Sequence, residues 1–183
     1  MAATRITWQD TLLMPEDGNR YEAIDGQLYV TPAPTVRHQR ISRNLHGALM
    51  ALLMEPGHGE LLYAPVGVEF PETEEGVQPD LLFIRQERLG IVGEDWIRGS
   101  PDLVIEILSP TTAKRDRTTK RKLYDRQGVA EYWVVDPEAE TVEVWDFAGE
   151  ATQPDRYVDR VPVRVGGKRV GNIELTHIFP PRR

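Results

Sequence analysis

The pattern of apolar and polar positions along this chain assigns most of its elements. Tyr21-Glu22-Ala23-Ile24 and Gln27-Leu28-Tyr29-Val30 flank Asp25-Gly26, a pair suited to the positive φ angles of a type I′ turn, so a hairpin is expected there. After Pro32-Ala33-Pro34, Ile41, Leu45, Leu49 and Leu52 recur at spacings of three and four. That single apolar stripe predicts a helix from Val36 to Glu55, ending before Pro56-Gly57. Three strands are predicted next, Leu61 to Glu69, Gln78 to Arg85 and Asp102 to Leu108, each apolar and bounded by Pro, Gly or acidic turn residues. Asp116 is placed to cap a helix from Arg117 to Gln127, with Gly128 as its left-handed stop. Glu131 to Val135 and Thr141 to Phe147 read as a second hairpin, with further strands near Arg160 to Val165 and Asn172 to Leu175. This order predicts a mixed α/β (α+β) fold with one central sheet and helices against it. Without repeats or low-complexity tracts, residues 1–183 are read as one domain.

Composition narrows the chemistry. The chain has 22 Lys plus Arg, 29 Asp plus Glu, four His and no Cys, for a formal charge of −7. Zero cysteines exclude disulfides, thiolate nucleophiles and Cys-based metal sites, so any metal must be held by oxygen or imidazole. His38, His46, His58 and His177 show no ligand spacing, which argues against a histidine zinc site. Met1 to Thr11 carries polar and charged residues where a secretory peptide needs an apolar stretch. Nowhere do 18 consecutive apolar residues occur, so a soluble, cytoplasmic protein without a membrane partner is expected. P-loop, dinucleotide-fingerprint and nucleophile-elbow motifs are missing as well.

The charge is unevenly spread. Thr111 to Arg126 holds seven basic and two acidic residues, a local charge of +5 that leaves the remainder of the chain at −12. Lys114, Arg115, Arg117 and Arg121 in this run are candidate nucleic-acid contacts. On a helix, Asp116, Lys120 and Tyr124 share one face at four-residue steps. Arg37, Arg40 and Arg43 form a weaker basic stripe that reads as a solvated helix face.

Glu106 is the most informative residue. It sits in Leu103-Val104-Ile105-Glu106-Ile107-Leu108, a run that asks to be buried on both faces, and a buried carboxylate must be neutralised, paired or coordinated to a metal. Asp102 shares its strand face but lies about 13 Å away, too far to share an ion. Gln78-Pro79-Asp80 precedes another apolar strand, and if the two strands are neighbours, Asp80 and Glu106 converge. Two carboxylates on adjacent strands make a hard oxygen site suited to Mg²⁺ or Mn²⁺.

Taken together, Tyr21-Glu22-x-x-Asp25-Gly26, Pro34 with Arg37-His38-Gln39, Pro79-Asp80, Pro101 to Pro110, Asp116-x3-Lys120-x3-Tyr124 and Gly128-Val129-x-Glu131-Tyr132-Trp133 resemble the Uma-type putative restriction endonuclease family of the PD-(D/E)XK nuclease superfamily. The resemblance implies a restriction-endonuclease-like core with the hairpin as an N-terminal extension. In function it implies a Mg²⁺-dependent endonuclease that hydrolyses DNA phosphodiester bonds. Asp80 and Glu106 then bind the metal, together with the Ile107 carbonyl. The superfamily places a lysine two residues beyond the second acid; Leu108 stands there, so the resemblance moves that role to Lys120. A symmetric homodimer is expected for double-strand cleavage. Two other readings predict different behaviour: a non-catalytic nucleic-acid-binding module on the same fold, and an acidic oligomeric interaction protein.

Overall fold

The computed structural model describes residues 5–181. The chain opens with a short helix α1 (Trp8–Thr11), the hairpin β1 (Arg20–Ile24) and β2 (Gln27–Thr31), and helix α2 (Val36–Leu49), which continues as a π-helical segment over Met50–Met54. Next come β3 (Gly59–Tyr63), β4 (Val68–Phe70), β5 (Glu75–Val77), β6 (Leu81–Arg85), β7 (Ile97–Arg98) and β8 (Leu103–Ile107). A helical run follows, composed of α3 (Ala113–Arg115), a π turn over Asp116–Lys120 and α4 (Arg121–Arg126). The remaining elements are β9 (Glu131–Asp136), β10 (Thr141–Asp146), β11 (Asp155–Tyr157), β12 (Arg160–Val165), β13 (Lys168–Glu174) and α5 (Leu175–Ile178).

A six-stranded mixed sheet in the order β11-β10-β9-β8-β6-β3 forms the centre. Its one parallel pair is β8 with β9, and the connection between them is the helical run, as a parallel crossover requires. Both faces of this sheet are covered, which explains why β6 and β8 read as continuous apolar runs. On one face Leu81, Phe83, Leu103, Ile105 and Trp133 pack against Ile41, Leu45 and Leu49 of α2, with Val161, Val163 and Ile173 of the β12–β13 hairpin. On the other, Leu82, Val104, Leu108, Tyr132 and Val134 meet Leu123 and Tyr124 of α4 and a second sheet, β2-β1-β5-β4-β7. Alternation along β8 puts Glu106 on this second side with Val104 and Leu108.

Asp25 and Gly26 adopt φ of 51° and 72°, the left-handed pair that the turn of the first hairpin demands. The strand expected over Leu61 to Glu69 is two strands in different sheets. Pro65 has no N–H to give to a ladder, so β3 stops at Tyr63 and β4 starts at Val68. Asp116 is not a cap: the helical run already starts at Ala113 after Thr112, and Asp116 is a buried residue within it. The short α1 and β11 carry too few residues for periodicity to show them. Asp102, which shares the alternation of Glu106, is tied instead to Arg85 and Arg88, accepting from Arg85 Nε at 2.7 Å and from the Arg85 N–H at 2.9 Å.

Gly76 of β5 is where the second sheet admits Trp8, whose indole is buried across it. A Cβ at this position would overlap the Cε3 and Cδ2 carbons of the indole. Gly76→Ala is therefore expected to lower stability by about 1–3 kcal/mol through displacement of the indole, measured as a shift of the urea midpoint at unchanged slope.

Candidate active site

Asp80 enters the sheet one residue ahead of β6. The antiparallel register pairs Leu81 with Ile105, and carried one step further it sets Asp80 opposite Glu106. The backbone fixes this geometry directly, because the Ile107 N–H donates to Asp80 Oδ2 at 2.8 Å. Two side chains from distant elements complete the Asp80 shell. Arg20 of β1 donates through Nη1 to Oδ1 at 2.8 Å, and His38 of α2 places Nε2 3.1 Å from Oδ2. Facing a carboxylate, that ring nitrogen carries the proton.

Glu106 is 2% exposed at the C-terminal end of β8. Lys120 Nζ lies 2.8 Å from its Oε1, and the Tyr124 hydroxyl donates to the same oxygen at 2.7 Å. The expected helix face is thus present: Asp116, Lys120 and Tyr124 are all buried. The π turn over Asp116–Lys120 is a local widening of the kind found at functional sites, and the Tyr132 hydroxyl holds it by donating to the Asp116 carbonyl at 3.1 Å.

Glu22 is the residue that sequence reasoning passed over. It lies in the hairpin strand β1, is 1% exposed, and places Oε1 2.7 Å from Lys120 Nζ while accepting from the Gln78 N–H at 2.9 Å. Lys120 is therefore clamped between Glu22 and Glu106, and an ammonium has three donors, so one remains for another ligand. Around this clamp the second carboxylate oxygens are poorly served. Glu22 Oε2 and Asp116 Oδ1 are buried without a hydrogen bond, although Arg115 approaches both residues at 3.6 and 3.9 Å.

The electrostatics follow from this crowding. Burial pushes Glu106 up to about 7; Lys120 opposes the rise, while Asp80, Asp116 and Glu22 add to it. Asp80 is buried too, yet the His38 hydrogen bond, the Arg20 charge and the Ile107 N–H hold it down at about 2. Burial works against the Lys120 ammonium, but Glu106, Glu22 and Asp116 keep its pKa above the ordinary lysine value. Lys120 is thus a permanent cation and cannot serve as a proton acceptor. Four buried carboxylates, Glu22, Asp80, Glu106 and Asp116, meet three cations, Arg20, Arg115 and Lys120, so one negative charge is in excess once Glu106 has given up its proton.

The model of a family described as Uma2, putative restriction endonuclease, matches residues 8–167. The chain belongs to the Uma2 family. Among solved structures, a putative nuclease of the DUF820 group from Anabaena variabilis has the same fold, with a TM-score of 0.76 at 20% identity, covering 95% of this chain and 97% of that one. No curated protein matches the sequence.

In this Uma2 chain the site opens onto a cavity of about 650 Å³, at the carboxyl end of β8 where open α/β sheets commonly bind ligands. Among the described residues no three carboxylate or imidazole side chains converge as a ready metal cage. A two-carboxylate set nevertheless fits Mg²⁺, which keeps several waters and takes only one or two protein carboxylates. Both protein donors to Glu106 go to Oε1, leaving Oε2 without a hydrogen-bond partner among the described residues. Together with the negative charge left in excess when Glu106 is ionised, this donor set suits a hard divalent cation.

The basic run contributes less surface charge than its composition suggests. Arg115 donates to Thr31 at 2.6 Å and stacks over Tyr29, Arg117 pairs with Asp136 and Glu143 at 3.0 and 3.1 Å, and Arg121 stacks over Trp145. Arg126 pairs with Asp25 and Glu75. Lys114 and Lys122 stand exposed with no ion pair among the described residues. His38, which lacks any ligand spacing in sequence, gains its role from the packing of α2 against the sheet.

Proposed function

We propose that this protein is a Mg²⁺-dependent endonuclease that hydrolyses phosphodiester bonds of DNA, with Mn²⁺ able to substitute. The observation that carries the reading is the juxtaposition of Asp80 and Glu106 on adjacent strands, with Lys120 clamped on Glu106. Membership of a family described as putative restriction endonuclease supports it. Asp80 and Glu106, with the Ile107 carbonyl, would hold the cation. When bound, it acidifies a coordinated water and offsets the charge on the phosphate.

The chain's own groups do the rest. Arg20 and His38 keep Asp80 ionised and oriented. Lys120, held as a cation by Glu22 and Glu106, directs its remaining donor at a phosphate oxygen, where a fixed charge costs no reorganisation as the transition state forms. Water adds at phosphorus and loses a proton to solvent, the bond to the leaving oxygen breaks, and that oxygen takes up a proton. Tyr124, whose pKa burial and Glu106 push well above 10, remains a hydrogen-bond donor throughout.

The test is calorimetric titration of Mg²⁺ and Mn²⁺ beside plasmid nicking, on wild type and Glu106→Ala. Binding and nicking should be lost together in the variant. Folded wild type that binds no cation and leaves plasmid and single-stranded DNA intact would return the carboxylates to a structural role. Titration adds a finer prediction. Because Glu106 keeps its proton up to about 7, a cation binding below that pH must displace it. Affinity is expected to rise by up to about tenfold per pH unit toward 7 and to level off above, with proton release. Calorimetry in buffers of different ionisation enthalpy reads that release; affinity constant from pH 5 to 8 would remove Glu106 from the ligand set.

A further inference from the structure

We infer that the site accepts a single unpaired DNA strand in preference to a duplex. The inference rests on the hydrolytic reading above and goes further by naming the form of the substrate. Its first support is depth. Asp80, Glu106 and Lys120 are each only 2–3% exposed and lie within the 650 Å³ cavity. That volume falls among pockets that take small ligands, roughly 300–1,000 Å³. It admits a short length of one strand and not a double helix.

Its second support is the rim, which is built from proline-bearing segments, Thr31–Thr35, Ser109–Thr112 and 136–138. Arginines of α2 and of the helical run bond two of these segments instead of reaching outward to a duplex. Arg37 donates to the Pro137 carbonyl at 2.9 Å and pairs with Glu140 at 3.0 Å; Arg115 bonds Thr31; Arg117 bonds Asp136. The mouth is thereby fixed by interactions that pull cationic groups into the wall.

Charge supplies the third. Non-specific duplex binding draws its strength from many phosphate contacts by free Lys and Arg. Here the basic run offers two exposed unpaired lysines, Lys114 and Lys122, on a chain of net charge −7. Among the described residues the cavity wall carries five cationic side chains and five carboxylates, His38 aside. With its carboxylates ionised the wall carries no net charge, and the two charges that a divalent cation would add match one or two phosphates of a strand.

The deciding experiment uses the full chain and labelled oligonucleotides of one sequence: single-stranded, as a blunt covalently closed duplex, and as a duplex with splayed arms. Binding is read by anisotropy in Ca²⁺ and cleavage in Mg²⁺ and Mn²⁺. Single strands are expected to bind at least about tenfold tighter than the closed duplex, with cuts confined to single-stranded DNA and to the splayed arms. Equal or better binding and cutting of the closed duplex would overturn the inference while leaving the nuclease reading intact. Preferential single-strand binding with no cutting by either metal would support the inference and overturn the nuclease reading. Binding to neither form would overturn the inference.

Discussion

Lys120→Met is expected to cost both the reaction and a large part of the stability, and the two losses are separable. The ammonium is buried between Glu22 and Glu106 at 2.7 and 2.8 Å, so its removal leaves two carboxylates without their shared cation. Breaking such a buried pair costs about 3–5 kcal/mol, read as a fall in the urea midpoint. Removing one preorganised donor from a site of developing charge costs on the order of 10²–10³ in rate, read under single turnover with saturating Mg²⁺. Adding Glu22→Gln to the variant removes one of the stranded charges and should recover much of the stability. It should recover none of the cleavage. A stable double variant that cuts DNA at the wild-type rate would reduce Lys120 to a structural ion pair.

Asp80→Asn is expected to abolish divalent binding and to lower cleavage by about 10³-fold, the rate equivalent of several kcal/mol of charge stabilisation. The variant keeps the size of the side chain, but Arg20 and His38 then face a neutral amide. It also changes the acid response. Asp80 is held down at about 2 against an ordinary value of 3.8, so its contribution to stability is fully present above 3.8. That contribution is lost as pH falls through about 2. Acid titration of the cation-free protein should show this loss in wild type and lack it in Asp80→Asn. Full retention of Mg²⁺ affinity by the variant would exclude Asp80 as a ligand.

The two acids were legible in the sequence because they stand against apolar strands, whereas the role of Lys120 came only from the family resemblance. Glu106 interrupts an apolar strand, Asp80 heads another, and Lys120 falls on the helix face shared by Asp116 and Tyr124. The register that joins Asp80 to Glu106 required only that β6 and β8 be neighbours, as they are. Glu22 and Arg20 were not legible as site residues. In an alternating hairpin strand a charged residue reads as the solvent side, and only the docking of β1 beside β5 turns Glu22 inward. His38 was masked by its arginine neighbours for the same reason. The basic run misleads in the opposite direction: its partners Thr31, Asp136, Glu143 and Trp145 lie far along the chain, so composition counted charges that the fold cancels.

Strand β9 contributes no charged group to the buried cluster, yet it fixes both halves of it. Glu106 is in register with Val134, the Leu108 N–H donates to the Val135 carbonyl at 2.9 Å, and Tyr132 secures the turn that carries Lys120. Every buried carboxylate and cation of the site precedes Gly128 in the sequence. During synthesis, then, all the charged groups of the cluster leave the ribosome before the strand that aligns them, and a nascent or prematurely terminated chain carries those groups without the alignment. On the hydrolytic reading proposed above, cleavage would therefore require that translation has passed β9 and that this strand has docked.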